Sequence, residues 1–252
     1  MQIGLVLSGG GTRGVAHIGV IKALEEHNIH PTHIAGTSAG AIVGGMYAYG
    51  CSYEAIFKFF KDTNALDITK YAINKPGFID SEKFYADFKT YIKNDDFKFL
   101  KKELYITATD ILEGTLKIFD QGELIKPILA SATVPGIFAP LKIGHSYYID
   151  GGILNNFPVD VLRDKCDKII GVNINAFEKT SIKDLKHSYS IIERAFKLKF
   201  IKEDREKFKD CDLLIAPKAL SKYGTFDKKN LDRIFKLGYD ATIKALEDSK
   251  IF

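Results

Sequence analysis

The sequence predicts an α/β fold with parallel strands, and three features near its N-terminus lead to this prediction. An apolar run, Ile3–Leu7, stops abruptly at a row of glycines, which is typical of a buried strand that ends in a loop. Apolar residues then recur at helical spacing over residues 15–27. A short strand around residues 33–35 leads through a tight turn into an apolar helix that reaches Tyr49. Strand, helix, strand and helix in this order favour parallel strands with right-handed crossovers.

The rest of the chain predicts a less regular series of elements. We expect helices over residues 53–61, 81–92, 124–131 and 231–246, and an amphipathic helix over 185–200. We expect further strands over residues 104–108, 115–119, 147–149, 168–174 and 212–215. No repeat, low-complexity tract or linker divides the sequence, so residues 1–252 are predicted to form a single domain. Residues 64–81 mix apolar side chains with a Pro-Gly turn, and a mobile lid and ordinary packing both fit this segment.

Composition indicates a globular protein of the cytoplasm. The chain has 252 residues, of which 46% are hydrophobic and 27% charged, unlike a disordered chain. Its three cysteines, Cys51, Cys166 and Cys211, have no metal-like spacing and are predicted to be reduced thiols. Neither a secretory signal nor an apolar stretch of about 20 residues is evident. The net charge of +4 is mild, so we predict no nucleic-acid partner and leave open a peripheral contact with anionic membranes.

The tight turn carries the most informative motif, Gly36-Thr37-Ser38-Ala39-Gly40. A G-x-S-x-G pattern between a strand and a helix is typical of a nucleophile elbow, in which small flanking residues let a strained serine project its hydroxyl. The following helix N-terminus favours developing negative charge. A serine that only caps this helix is the simpler alternative, and the two interpretations are compatible. Ser38 is therefore the candidate nucleophile.

A glycine loop follows the first strand, with the sequence Gly9-Gly10-Gly11-Thr12-Arg13-Gly14. Consecutive backbone N–H groups in such a loop bind either a phosphate or an oxyanion. The pattern also fits a dinucleotide-binding loop, but that function needs an acidic residue near the end of the second strand. Here the second strand leads into the Ser38 elbow instead. The sequence therefore favours an oxyanion hole formed by Gly9, Gly10 and Gly11 over a nucleotide-binding module.

A third glycine-linked motif, Asp150-Gly151-Gly152, follows an apolar strand. An aspartate at this position faces a cleft while the two glycines let the chain turn away. The same three residues also form a common surface turn. Taken alone, the motif does not decide between a catalytic acid and a turn.

In this order and spacing, the three motifs resemble those of the patatin-like phospholipase family. Two further blocks agree, an Ala-Ser segment with a Pro-x-x-Phe-x-Pro pattern at residues 130–140 and the Asn-Asn-Phe-Pro-Val segment at residues 155–159. The similarity runs from residue 3 to about residue 175. The chain resembles the short bacterial members, which consist of the catalytic domain alone.

The resemblance implies a three-layer α/β/α fold with a mostly parallel central sheet. It also implies a Ser38–Asp150 dyad that hydrolyses lipid or fatty-acyl esters through an acyl-enzyme, without a metal or a cofactor. A phospholipase A or lysophospholipase-like enzyme is expected; a general esterase, thioesterase or acyltransferase is the alternative. Headgroup preference, chain preference and oligomeric state stay undetermined. The supporting motif residues are Arg13, Gly14, Gly36, Gly40, Gly151 and Gly152, with Arg13 either attracting a lipid phosphate or forming a salt bridge near the loop.

The six histidines argue for a dyad over a Ser-His-Asp triad. In α/β-hydrolases the histidine follows the acid in the chain, and only His187 follows Asp150 here. His187 lies in a lysine-rich amphipathic stretch without a turn to present it. His17, in the first helix, is expected to pack beside the glycine loop. No histidine or cysteine has the spacing of a metal ligand.

Overall fold

A computed structural model describes residues 1–63, 77–176, 179, 181–182, 188–225, 227–249 and 251 of the chain. Most of the segment considered as a lid, residues 64–76, lies outside the described residues, and so does His187. The described remainder of the lid segment packs against the body of the protein, since Ile79 is buried and pairs with Phe138.

The N-terminal elements follow the predicted order. Strand β1 (Ile3–Leu7) leads into helix α1 (Val15–Glu26), and strand β2 (His33–Thr37) leads into helix α2 (Ala39–Tyr49) and then helix α3 (Tyr53–Asp62). Every residue of β1 is buried, as expected for a central strand with no polar face. Strands β1 and β2 are parallel, with Leu5 opposite Ile34, which confirms the predicted arrangement.

The second half alternates short strands and helices. In chain order it contains β3 (Ile79–Asp80), α4 (Tyr85–Lys89), β4 (Glu103–Asp110), β5 (Thr115–Phe119), α5 (Ile125–Ser131), β6 (Phe138–Ala139), β7 (Leu141–Ile143), β8 (Ser146–Asp150), β9 (Lys168–Val172), α6 (Ser188–Lys207), β10 (Leu213–Ile215) and α7 (Leu231–Asp248). The helix expected over residues 81–92 is shorter than predicted. It begins as a tight 3-10 turn at Ser81–Phe84, in which the Glu82 N–H is capped by the Asp80 carboxylate.

The described residues form one large sheet with the strand order β10-β9-β1-β2-β4-β8-β7, and β5 pairs with β4 off this path. The strands from β10 to β4 are parallel, whereas β5, β8 and β7 are antiparallel to their neighbours. Strand β4 continues beyond the end of β2, so β8 can run back along it. The last residue of β8, Asp150, thereby pairs with Ala108 of β4. The preceding residue of β4, Thr107, pairs with Thr37 at the end of β2.

Each face of the sheet carries its own apolar core, because side chains alternate along a strand. Leu5 and Leu7 of β1 pack into the larger core together with α1, α2, α5 and α7. Val6 points into the smaller core, which is completed by the segment around Phe157 and by Phe208, the residue directly after α6. The sheet therefore lies between two layers, as the three-layer α/β/α prediction requires.

Candidate active site

The turn between β2 and α2 has the geometry of a nucleophile elbow. Ser38 has φ 54° and ψ −121°, a backbone conformation that costs free energy for a residue with a side chain. The flanking glycines are required by close packing. A Cβ on Gly36 would lie 2.6 Å from the Gly40 carbonyl oxygen, and one on Gly40 would lie 2.1 Å from the carbonyl oxygen of Leu7. The sequence motif thus marks a real constraint on the backbone.

Ser38 and Asp150, separated by 112 residues in the chain, meet directly. The Ser38 hydroxyl donates a hydrogen bond to Asp150 Oδ2 with an Oγ–Oδ2 distance of 2.6 Å. Only 6% of Ser38 and 8% of Asp150 are exposed. The other carboxylate oxygen accepts the Gly152 N–H at 2.8 Å, and the Asp150 backbone is tied to Thr133 and Thr109. The carboxylate is therefore held in one orientation toward the serine.

The environment of Asp150 shifts the pKa of its carboxyl group toward the neutral range. Burial raises the pKa of its carboxyl group to about 6, against the opposing effect of hydrogen bonds from Ser38 and the Gly152 N–H. At pH 7 the carboxylate is still mainly ionised, and its affinity for a proton is higher than that of an exposed aspartate. A group with these properties can act as a general base near neutral pH.

A set of polar side chains that the sequence did not single out supports the elbow. The Ser38 N–H donates to Ser131 Oγ at 2.8 Å, at the end of α5. Thr37 donates its hydroxyl to the carbonyl oxygen of Asn155 at 2.9 Å and lies 2.6 Å from the Thr107 hydroxyl. Ser131 and Asn155 lie in the two blocks that agreed with the patatin-like family, and that agreement was the signal available in the sequence.

The prediction that Gly9, Gly10 and Gly11 all supply oxyanion donors needs one correction. The Gly9 N–H donates to the carbonyl oxygen of Asn156 at 3.2 Å. This bond occupies the Gly9 donor and joins the glycine loop to the segment after Asp150. Gly9 therefore holds the loop in place, and the predicted oxyanion role now concerns only the N–H groups of Gly10 and Gly11.

The two remaining donors are oriented through the carbonyl groups that precede them. The Gly9 carbonyl accepts a hydrogen bond from Asn175 Nδ2 at 2.6 Å, and the Gly10 carbonyl accepts one from Arg13 Nε at 3.1 Å. In a planar trans peptide the C=O and N–H groups point in opposite directions. The N–H groups of Gly10 and Gly11 consequently point away from Asn175 and Arg13. Neither donor has a hydrogen-bond partner within the described part of the chain.

Arg13 and the remaining motif glycines are structural supports of the loop. Arg13 is 2% exposed and also donates to Asn175 Oδ1 at 3.2 Å, so its burial argues against contact with a lipid phosphate. A Cβ on Gly14 would lie 2.5 Å from the Ala39 Cβ, where α1 and α2 begin side by side. A Cβ on Gly151 would lie 2.3 Å from the Thr107 carbonyl oxygen, and one on Gly152 would lie 3.0 Å from Asp150 Oδ1.

The described histidines lie outside the Ser–Asp pair. His17 is fully buried and its Nε2 lies 2.9 Å from the Ser8 carbonyl oxygen. Burial lowers the pKa of His17 to about 4, so its ring is neutral at pH 7. None of the histidines that the structure describes is hydrogen-bonded to Ser38 or Asp150. His17 packs beside the loop, as predicted.

An apolar cavity of about 430 Å³ opens onto Ser38. This volume is in the range of small-molecule sites. Gly11 and Ala39 also line the cavity, so the glycine loop and the first residue of α2 face the same space as Ser38. Its apolar walls include Ile42, Phe59, Phe84, Phe88, Leu129, Val134 and Phe138. A hydrocarbon chain attached to an ester at Ser38 fits such walls.

The described residues contain no cluster of three or more His, Cys, Asp or Glu side chains that could hold a metal ion. Among their helices none is both long and apolar enough to cross a bilayer. All three cysteines carry free thiols, as predicted from their number and spacing.

Comparison with known proteins extends the agreement of the motifs to most of the chain. Residues 5–163 match the family model described as patatin-like phospholipase. The chain is 32% identical over 187 residues to lysophospholipase NTE1 of Debaryomyces hansenii, a match covering 70% of this chain and 12% of that protein. It is 33% identical over 186 residues to an uncharacterised NTE family protein of Mycobacterium tuberculosis, covering 73% of this chain and 52% of that one. The chain thus spans about half, or much less, of these relatives' length.

Solved structures show the same fold at low sequence identity. The structure of VipD from Legionella pneumophila superposes with a TM-score of 0.60 and 16% identity, covering 98% of this chain and 67% of VipD. The type III effector protein ExoU superposes with a TM-score of 0.54 and 14% identity, covering all of this chain and 54% of ExoU. Because the family match covers more than half of the chain and includes the glycine loop, the serine elbow and Asp150, this chain belongs to the patatin-like phospholipase family.

Proposed function

We propose that this chain is a serine acyl hydrolase that cleaves lipid carboxylic esters, in the manner of a phospholipase A or a lysophospholipase. The main observation is that Ser38, which lines an apolar cavity, donates a 2.6 Å hydrogen bond to the buried carboxylate of Asp150. Family membership and a relative described as a lysophospholipase support the same function.

The first half of the reaction forms an acyl-enzyme. Ser38 Oγ attacks the ester carbonyl carbon while its proton passes to Asp150 Oδ2, which already accepts that hydrogen bond. The carbonyl oxygen becomes an oxyanion, which the Gly10 and Gly11 N–H groups stabilise. As the intermediate collapses, the ester bond breaks and the leaving alcohol takes the proton from Asp150.

The second half reverses these roles with water. Asp150 takes a proton from a water molecule, whose oxygen attacks the acyl carbon bound to Ser38. The Oγ–acyl bond then breaks, the free acid leaves, and Ser38 regains its proton from Asp150. One carboxylate therefore serves as base and acid in both halves. The walls of the cavity hold the acyl chain throughout.

The proposal is tested by labelling and by hydrolysis. A fluorophosphonate probe should label the wild-type protein at Ser38 and leave Ser38→Ala unlabelled, because only an activated serine reacts. Ser52→Ala is a matched control, since the Ser52 side chain caps α3 and this variant should be labelled like the wild type. Labelling of Ser38→Ala equal to the wild type would refute Ser38 as the nucleophile.

A substrate panel then separates a lipase from other serine enzymes. Phospholipid, lysophospholipid, neutral glyceride and acyl-CoA should be tested with Ser38→Ala as the blank, with fatty acid release as the readout. We expect the lipid esters to be hydrolysed faster than acyl-CoA. A Ser38-dependent preference for acyl-CoA would favour a thioesterase, and transfer to an added alcohol in place of hydrolysis would favour an acyltransferase.

A further inference from the structure

Outside the lining of the cavity, one buried carboxylate accepts hydrogen bonds from two side-chain amides. Asp204, on α6, is 3% exposed. Its Oδ2 accepts a hydrogen bond from Asn156 Nδ2 at 2.9 Å and another from Asn173 Nδ2 at 3.0 Å. Neither bond was indicated by any motif, because Asp204 lies 54 residues after Asp150 in a helix without recognisable signals.

Both asparagines are also linked to the glycine loop by further hydrogen bonds. The Asn156 backbone carbonyl accepts the Gly9 N–H at 3.2 Å. Asn173 Oδ1 accepts the Asn175 N–H at 2.8 Å, and Asn175 Nδ2 donates to the Gly9 carbonyl at 2.6 Å. Asp204 is thus connected to Gly9 by two independent routes, one to each side of that residue.

These two routes fix the peptide that presents the first proposed oxyanion donor. The Gly9 carbonyl and the Gly10 N–H belong to the same planar peptide and point in opposite directions. Because the Gly9 carbonyl is held toward Asn175, the Gly10 N–H points away from Asn175. Because Asn175 is in turn held through Asn173, a change at Asp204 should rotate or loosen this peptide.

On this basis, and resting on the proposed function, we propose that Asp204 is a positioning residue, which aims the Gly10 N–H at the ester oxygen by holding Asn156 and Asn173. It touches neither substrate nor reacting atoms. Its carboxylate oxygen is the shared acceptor for two buried amides, and an apolar side chain in its place would leave both donors unpaired. Burial raises the pKa of Asp204 to about 6, against the hydrogen bonds from Asn156 and Asn173.

The test compares Asp204→Ala with Asp204→Asn on a soluble short-chain ester. Displacing a catalytic group by about 1 Å can cost about 10²-fold in rate. We therefore expect Asp204→Ala to lower kcat by about 10- to 100-fold while KM stays within threefold. Asp204→Asn should keep kcat within about threefold of the wild type, because its side-chain oxygen can still accept both amide bonds.

Asp110→Ala is the matched control. Asp110 is 7% exposed and accepts hydrogen bonds from the Leu112 N–H, the Glu113 N–H and the Ser146 hydroxyl, so its removal breaks three partly buried bonds. Its partners do not contact the glycine loop, and kcat should remain close to the wild-type value. A comparable loss of kcat in this control would show that any lost acid has this effect and would overturn the role of Asp204.

Hydrogen exchange at the Gly9 amide tests the positioning without relying on activity. Exchange should be faster in Asp204→Ala than in the wild type and unchanged in Asp110→Ala. Unchanged exchange would overturn the inference even if the wild type were inactive, whereas an inactive wild type with the expected exchange would overturn only the proposed function. Wild-type kcat in folded Asp204→Ala would also overturn the inference.

If Asp204→Ala does not fold, Asn173→Ala decides the question. This variant cuts the route from Asp204 to Asn175 and leaves the Asp204–Asn156 bond in place. We expect a smaller fall in kcat, about 3- to 10-fold, with exchange at the Gly9 amide close to the wild-type rate, because the Asn156 carbonyl still accepts that N–H. A wild-type kcat in the folded Asn173→Ala protein would overturn the inference.

Discussion

Replacing Asp150 with asparagine should abolish most of the turnover while leaving the shape of the site unchanged. In the wild type, one Asp150 oxygen accepts the Ser38 hydroxyl at 2.6 Å and the other accepts the Gly152 N–H at 2.8 Å. Asparagine has a single acceptor oxygen. If it bonds to Gly152, an NH2 group faces Ser38 and cannot take its proton. General base catalysis contributes about 10²–10⁴-fold, so kcat should fall by about that factor.

The same substitution should make the protein more stable at high pH. Burial raises the pKa of Asp150 from an ordinary value of 3.8 to about 6, so the folded state binds this proton more tightly than the unfolded state. The wild-type free energy of unfolding therefore falls as the pH rises from about 4 through 6. The loss amounts to about 3 kcal/mol at 1.36 kcal/mol per pKa unit. A neutral asparagine avoids it, which should raise the melting temperature at pH 8 by about 6–12 °C.

Both effects can be measured on one pair of proteins. Hydrolysis of a soluble ester at pH 8 gives kcat, and circular dichroism melts at pH 4 and pH 8 give the stability difference. The two proteins should melt alike at pH 4, where Asp150 is protonated in the folded wild type. A kcat within threefold of the wild type would refute Asp150 as the base. Equal melting temperatures at pH 8 would refute the argument that burial destabilises the ionised carboxylate.

Three further predictions concern pH, the glycine loop and metals. The plot of kcat/KM against pH should have an acid limb with an apparent pKa of about 6, because Asp150 must be ionised to accept a proton; if the limb vanishes in Asp204→Asn, it belongs to Asp204. Gly10→Val should lower kcat by about 10²–10³-fold, because its Cβ would lie 2.7 Å from Ile174 and push the loop aside. Gly224→Ala, which adds a Cβ in open space, is its control, and near-full activity in a folded Gly10→Val protein would exclude the oxyanion role. Hydrolysis of a soluble ester should survive EDTA, because backbone N–H groups stabilise the charge in the proposed mechanism; a loss reversed by Ca²⁺ would contradict it.

Local sequence patterns were sufficient to predict the N-terminal strands and helices, from β1 to α2. The apolar run Ile3–Leu7 and the helical spacing that follows it gave β1 and α1 close to their observed bounds. Strands β5 and β8 were predicted, whereas their antiparallel direction and the whole of strand β7 were not. Strand β7 has three residues and reaches β8 through a tight turn at Gly144, where φ is +61°. Strands this short carry too few residues for periodicity to reveal them, and their pairing depends on neighbours far away in the chain.

The candidate site was predictable where its geometry is local. The glycines around Ser38 are required by contacts within a few residues or with the adjacent strand, and a motif records such constraints. Asp150 was identified through family resemblance, because its own three residues also fit a common turn. Gly9 shows the limit of the motif. Its N–H is taken by Asn156, and no pattern in the loop reveals a hydrogen-bond partner 147 residues away. The single-domain organisation remains a prediction.

The sequence by itself determined which residues could carry the chemistry: a serine in a strained turn, a glycine loop at the end of the first strand and an aspartate before two glycines. Tertiary structure decided how these parts meet. Strand β8 runs antiparallel along an extended β4, and this brings Asp150 beside the elbow. Asp204, Asn173 and Asn175 orient the loop from three separate positions. The physical reason is that hydrogen bonds between distant segments depend on packing and register, whereas a motif records only constraints that neighbouring residues impose on one another.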